Sequence, residues 1–180
     1  SPVGCWVTGN VVANASAAYI PSAFATTFPS HPKTNMLKFQ ANKTSGNGAY
    51  AITSGLATPE GKSIKDYQLE MIMAATRVTG SLKYTANEEG SLIVGIAEDP
   101  QDLTTMQVID TFRFITPALS KLVVPFDSYT GKGKYVVLFA EAFDKTTSWF
   151  YVDDVKFSLT PSCKHAQKLQ IDTIEQTSVA

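Results

Sequence analysis

Charge is sparse in this chain of 180 residues: 17% are Asp, Glu, Lys or Arg, and neither sign dominates. Fifteen basic residues stand against 16 acidic ones, for a formal net charge of −1. No run of like charge breaks that balance, which argues against nucleic acid as a partner and against binding to an anionic membrane. No apolar run approaches the roughly 18 residues of a membrane-spanning helix, so direct membrane insertion is not expected. Histidine is nearly missing. His31 lies between Ser30 and Pro32, and His165 lies in the tail; neither sits in a triad or a metal motif, and no H-E-x-x-H or G-x-S-x-G occurs. Gly131-Lys132-Gly133-Lys134 is too short for a phosphate-binding loop and reads as a hairpin turn. A pair of glycosidase carboxylates needs no motif, and Glu70 and Glu141 are the least implausible pair. These absences argue against an enzyme.

Cysteine is limited to Cys5 and Cys163. Domain termini often lie close together, so a Cys5–Cys163 disulfide would close almost the whole domain. On the chain-entropy model such a bridge adds about 5 kcal/mol; two free buried thiols are the alternative. The first residues, Ser1-Pro2-Val3-Gly4-Cys5, carry neither the basic nor the apolar region of a signal peptide. The chain therefore fits a cytosolic protein, or a mature or excised piece of a secreted one. Its wealth of Thr, Ser, Asn, Ala and Gly favours the second.

Helix-length periodicity is absent too, and what stands in its place is alternation with period two. Leu37 and Phe39 oppose Lys38 and Gln40. Tyr67, Leu69, Met71 and Met73 alternate with Gln68, Glu70 and Ile72. Ser81 to Thr85, Met106 to Ile115 and Leu119 to Phe126 repeat the pattern. Ala49 to Ile52 adds a short strand. Leu92 to Ala97 and Tyr135 to Ala140 are apolar on both faces and read as central strands. Asn87-Glu88-Glu89-Gly90 reads as a hairpin turn. Weaker strands at Cys5 to Val7 and Asn10 to Val12 precede an irregular stretch broken by Pro21, Pro29 and Pro32. About nine short strands, divided by Gly, Asn, Pro and Asp, predict an all-β fold: a two-sheet antiparallel β-sandwich of jelly-roll type.

The last strand, Ser148 to Leu159, carries a conflict. Aromatic and β-branched residues surround Asp153 and Asp154, although a buried strand normally excludes unpaired carboxylates. Phe150 and Val152 share one parity, while Val155 and Phe157 share the other. A β-bulge at Asp153-Asp154 would bring all four to the core.

Several motifs together suggest a relationship. They are Gly4-Cys5-Trp6, the run VGIAEDPQDLTTM, the closing FYVDDVKFSLTPSC, and LQIDTIEQTSVA in the tail. They resemble the jelly-roll modules of bacterial multidomain surface proteins, of the cleaved-adhesin, MAM-like or galactose-binding-like type. The tail resembles the first strand of a fibronectin type III module. The resemblance implies a jelly-roll domain over residues 1–163 and a linker with a truncated next module over 164–180. It also implies an extracellular or cell-surface location, a non-catalytic role in binding carbohydrate or protein beside adjacent modules, and often a structural calcium.

Calcium takes six to eight oxygens, and Asp153 and Asp154 are its candidate ligands if a neighbouring loop supplies carbonyls. A bent strand with both acids solvated is the plainer reading. Glu98, Asp99 and Asp102 form a second acidic cluster without EF-hand spacing, which reads as a solvated turn. Trp149, Tyr151 and Arg113 are the candidate ligand-binding residues. Trp149 stands at the entrance of the closing strand, Tyr151 shares its parity, and Arg113 should face away from the core between Phe112 and Phe114. Aromatic rings stack on sugars, although Trp and Tyr more often fill cores. Asn14-Ala15-Ser16 and Asn42-Lys43-Thr44 match the N-glycosylation pattern. The expected function is a non-catalytic extracellular binding module with a glycan as the first ligand class. A host- or surface-protein ligand and a spacer role are the alternatives.

Overall fold

A computed structural model describes residues 6–11, 22–28, 31–42, 48–77, 90–113, 115, 117–143 and 147–161. Among the described residues, ten strands carry the fold. They are β1 (Trp6–Val11), β2 (Ser22–Phe28), β3 (His31–Asn42), β4 (Gly48–Thr53) and β5 (Tyr67–Arg77), then β6 (Gly90–Asp99), β7 (Asp102–Phe112), β8 (Ser120–Pro125), β9 (Tyr135–Ala142) and β10 (Thr147–Leu159). Among the described residues the only helical segment is a 3-10 turn at Ile64–Asp66, and no helix is long and apolar enough to cross a membrane. The strands form two five-stranded antiparallel sheets. Sheet I has the order β1-β4-β9-β6-β7 and sheet II the order β2-β3-β10-β5-β8. The protein is thus an all-β, two-sheet sandwich of jelly-roll type, as the alternation implies.

The period-two pattern places one side-chain set of each sheet between the two layers. Sheet I contributes Ala49, Ala51, Leu92, Val94, Ile96, Val136, Leu138 and Ala140; sheet II contributes Leu37, Phe39, Leu69, Met71, Met73, Phe150 and Val152. All of these are buried. The two-faced apolar strands β6 and β9 are internal, as expected.

β10 lies between β3 and β5, at the centre of sheet II. Asp153 pairs with Ile72, but Lys156 pairs with Glu70, so Asp154 and Val155 together oppose Met71. Asp154 takes φ 49°, the left-handed region that short polar side chains tolerate best. This is the bulge that the acid pair implied. It reverses the strand's parity, so Phe150 and Val152 before it, and Val155 and Phe157 after it, all meet the same core. Phe157 lies 6.4 Å from Phe126, centroid to centroid.

One expectation is corrected. The proline-broken stretch is not wholly irregular: β2 and β3 form a pair across it. Their register jumps from Thr27↔Asn35 to Phe28↔His31, so Pro32 falls in the unpaired bulge, where its missing N–H breaks no ladder bond. The acidic segment is an exposed, tight hairpin turn, as read from the sequence: β6 runs on to Asp99 and β7 begins at Asp102. Asp99 Oδ1 accepts the Gln101 amide at 2.8 Å, and Asp102 Oδ1 accepts the Thr104 amide at 2.9 Å and its hydroxyl at 2.6 Å. Those hydrogen bonds hold the Asp102 carboxyl below its ordinary pKa. The acids lock a turn. The strand expected at Ser81 to Thr85, the acceptor Asn14, the Cys5–Cys163 pair and the tail at 164–180 lie outside the described residues.

Candidate functional site

The alternate residues of sheet I face away from the core, and they are unusually apolar for an outer face. Ile52, Ala97 and Val137 are buried there, with Tyr50, Leu103, Met106, Tyr135 and Phe139 packed around them and partly exposed. Strand pairing lines these residues up in rows across the sheet. One row runs Gly9–Tyr50–Phe139–Ile93–Thr111, and the next runs Val7–Ile52–Val137–Gly95–Val108. At about 4.8 Å between neighbouring strands, a five-strand row spans roughly 19 Å.

Glycines explain how the rings lie. A Cβ at Gly9 would collide with the Tyr50 ring, so that ring lies across the bare backbone of Gly9 on the neighbouring strand. A Cβ at Gly48 would stand 2.5 Å from the Ala140 carbonyl oxygen and 2.6 Å from Phe139 Cζ, and one at Gly95 2.6 Å from Met106 Sδ. Each glycine lets a large side chain rest flat on the sheet where a Cβ would lift it off. The result is a low shelf with Tyr50 and Phe139 side by side in one row.

Polar groups border the shelf. Ser91 pairs with Glu141 on the next row, and its hydroxyl donates to Glu141 Oε1 at 2.7 Å. That bond orients the half-buried carboxylate along the face. Beyond β7, the exposed Arg113 places its guanidinium 5.3 Å from the Phe143 ring centroid, a cation–π distance. Arg113 is exposed just past the end of β7. It also borders a cleft of about 240 Å³ between the sheets' edges, next to Met73, Ile115 and Leu122.

Trp149 and Tyr151 sit elsewhere, on the outer face of sheet II. Trp149 pairs with Gln40 and Thr76, and Tyr151 with Lys38 and Ala74. Tyr151 is 2% exposed, so its ring offers no open face. Lys38 Nζ stands 3.9 Å from the Trp149 centroid and 5.7 Å from that of Tyr151, so a cation already covers the indole. Burial pushes the Lys38 ammonium below its ordinary pKa. Trp149 Nε1 and Thr76 Oγ1 are buried without a hydrogen-bond partner. The stacking role read from sequence for Trp149 and Tyr151 is not supported here: one ring is buried and the other is capped.

Asp153 and Asp154 are the candidate calcium ligands. Asp154 borders a groove of about 220 Å³ together with Glu70, Lys121 and Lys156. Lys121 Nζ lies 2.6 Å from Glu70 Oε2, and Glu70 Oε1 accepts from Ser158 at 3.0 Å and Gln68 at 3.2 Å. Lys121, Ser158 and Gln68, in that order, lower the Glu70 pKa from 4.5 to about 2. Among the described residues no three His, Cys, Asp or Glu side chains converge as a metal site. A groove with two lysines lacks the all-oxygen shell that calcium requires, so the described donors do not fit the ion. Glu70 and Glu141 stand on the outer faces of different sheets and do not form a facing carboxylate pair.

The shelf residues Phe139 and Tyr135 were missed in the sequence, which marked their strand only as apolar on both faces. The available signal was the set of single glycines inside strands, at Gly9 and Gly95, because such glycines mark close approach.

No family model and no curated protein matches the chain. Solved structures do match it. The K2 cleaved adhesin domain of Lys-gingipain aligns with a TM-score of 0.54 at 12% identity, covering 87% of this chain and 91% of that one. A carbohydrate-binding module of the β-sandwich superfamily, described as promiscuous in specificity, aligns with a TM-score of 0.52 at 11% identity. That alignment covers 87% of this chain and 58% of the other. At such identities the likeness establishes the sandwich fold.

Proposed function

We propose that the chain is a non-catalytic saccharide-binding module whose ligand lies on the outer face of sheet I. The observation that carries this reading is the pair of rings, Tyr50 and Phe139, laid flat by Gly9 and Gly48 in adjacent positions of one row. Pyranose rings present apolar C–H faces that stack on such rings, while their hydroxyls need donors and acceptors at the edge. Glu141, oriented by Ser91, supplies an acceptor, and Arg113 supplies donors. The roughly 19 Å row leaves room for several sugar units side by side. The fold shared with a carbohydrate-binding module and an adhesin domain is compatible with this use and with an extracellular setting. Separation of Glu70 from Glu141 supports a binding role over hydrolysis.

A protein ligand is the second reading. Val7 at 63% and Val108 at 49% exposure flank the shelf and extend its apolar area beyond what a sugar requires.

Glycan-array screening followed by calorimetry on Tyr50→Ala and Phe139→Ala tests the proposal. Each substitution should weaken binding by about 0.5–1.5 kcal/mol, or roughly 2- to 12-fold. An array without any bound saccharide, or full affinity in both variants, rejects the saccharide reading and leaves the protein ligand.

A further inference from the structure

We infer that the saccharide held by the shelf is acidic, and that its carboxylate or sulfate is taken by a cleft at the end of the shelf formed by Lys132 and Lys134. This inference rests on the shelf reading above and narrows its ligand class.

The turn Gly131-Lys132-Gly133-Lys134 leads directly into β9, and three contacts hold it. The Lys132 amide donates to Glu98 Oε1 at 3.0 Å, the Gly133 amide donates to the hydroxyl of buried Tyr129, and the Lys134 carbonyl accepts from the Leu56 amide at 2.8 Å. Gly133 is pressed against the backbone of Ala97, where a Cβ would collide. The two lysine side chains therefore leave from a fixed backbone, and little ordering cost remains for it on binding.

A cleft of about 300 Å³ opens between this turn and the segment before β5. Thr58 and Ser63 border it opposite Lys132 and Lys134. No carboxylate borders it among the described residues. Glu98 is engaged in holding the turn. The Ser63 hydroxyl already donates to Asp66 Oδ2 at 3.4 Å, so the cleft offers an anion two ammonium groups and the Thr58 hydroxyl. The stem of Lys134 lies over Gly55, whose absent Cβ would stand 3.0 Å from Lys134 Cε.

Lys134 also joins the cleft to the shelf. Its Nζ lies 5.8 Å from the ring centroid of Tyr135, and Tyr135 pairs with Ala97 on the outer face. Lysine serves here as a point charge, which suits either anion.

The test uses polysaccharide pairs that share a backbone and differ in charge: polygalacturonate with its methyl ester, and chondroitin sulfate with unsulfated chondroitin. Binding is measured for the intact chain and for the double variant K132Q/K134Q, both of whose lysines are exposed. The intact chain should bind the charged member of at least one pair about fivefold more tightly, as two partly exposed charge contacts allow. The double variant should bring that affinity down to the neutral member's value while leaving neutral binding unchanged. The pair that responds identifies carboxylate or sulfate as the anion. Equal binding of charged and neutral members by the intact chain overturns the inference and leaves the shelf reading intact. So does a charge preference that the double variant retains, or a loss of both members together. Binding to no member of either pair, with the array also silent, removes the shelf reading and this inference with it.

Discussion

Deleting Asp154 would remove the one extra residue of β10 and leave a regular strand. With unchanged pairing to β5, Val155 then opposes Met71 alone and Lys156 still opposes Glu70, so Val155 and Phe157 keep facing the core. If Asp154 were not the inserted residue, the same deletion would turn Val155 and Phe157 outward and Lys156 inward. Full burial of a Val or Phe side chain is worth about 1.5–3 kcal/mol. Val155 and Phe157 are only partly buried, so half of that range applies, about 1.5–3 kcal/mol for the two. Bringing the Lys156 head group toward the core would add about 1–3 kcal/mol. A flipped strand would thus lose about 2.5–6 kcal/mol, a large part of the 5–15 kcal/mol typical of a domain. The regularised strand should stay within about 1 kcal/mol of the parent. Asp154→Gly is the control. It keeps the bulge and removes the side chain from a left-handed backbone, so it should be neutral or stabilising by up to about 1 kcal/mol. Asp154→Val puts a β-branched residue at the same φ and should cost about 2 kcal/mol. Urea unfolding of the four proteins gives the answer through midpoint and slope. If the deletion costs about 2.5 kcal/mol or more, Asp154 is not the inserted residue that reverses the parity and the reasoning fails.

Gly9→Ala should separate folding from binding. The new Cβ displaces the flexible end of the Tyr50 ring rather than backbone, so the melting temperature should move little while saccharide affinity falls about as far as in Tyr50→Ala; unchanged affinity would show that the ring's posture is irrelevant. Glu70 supplies a pH signature. Its folded pKa of about 2 lies below the ordinary 4.5, so its contribution is complete above about pH 4.5 and is lost as pH falls toward 2. Glu70→Gln should flatten the stability profile in that window relative to the parent, and parallel profiles would contradict the assignment. Calcium and a chelator should give the same melting temperature, since the described donors around Asp153 and Asp154 include two lysines; a calcium-dependent rise would point to an oxygen set supplied by other residues.

Much of the sandwich was legible in the chain, because a half-buried strand records its own burial. Tyr67 to Met73 shows which parity faces inward, and the structure places Leu69, Met71 and Met73 in the core. The bulge was legible for the same reason, since two apolar pairs of opposite parity in Ser148 to Leu159 cannot share a core without an inserted residue. Strand β2 and the start of β3 were harder to see, because Pro21 and Pro29 flank the one and Pro32 lies in the other, and proline forbids a ladder bond only at its own N–H. Whether that N–H falls in a bulge depends on the partner strand.

The binding face was the least legible. Tyr135 to Ala140 is apolar at every position, so its sequence assigns neither face to solvent. Trp149 looked like the exposed ring because it opens a strand beside polar residues. Lys38, 111 positions away in the chain, covers it.

By itself, then, the sequence determined the fold class, the core parity of most strands and the bulge at Asp154, all of which follow from local period and steric rules. Only the tertiary structure decided which outer face carries the rings. That choice depends on register, which sets Gly9 beside Tyr50 and Gly48 within reach of Phe139. No window of sequence contains those contacts, because the close approach that flattens a ring is made by another strand's missing side chain.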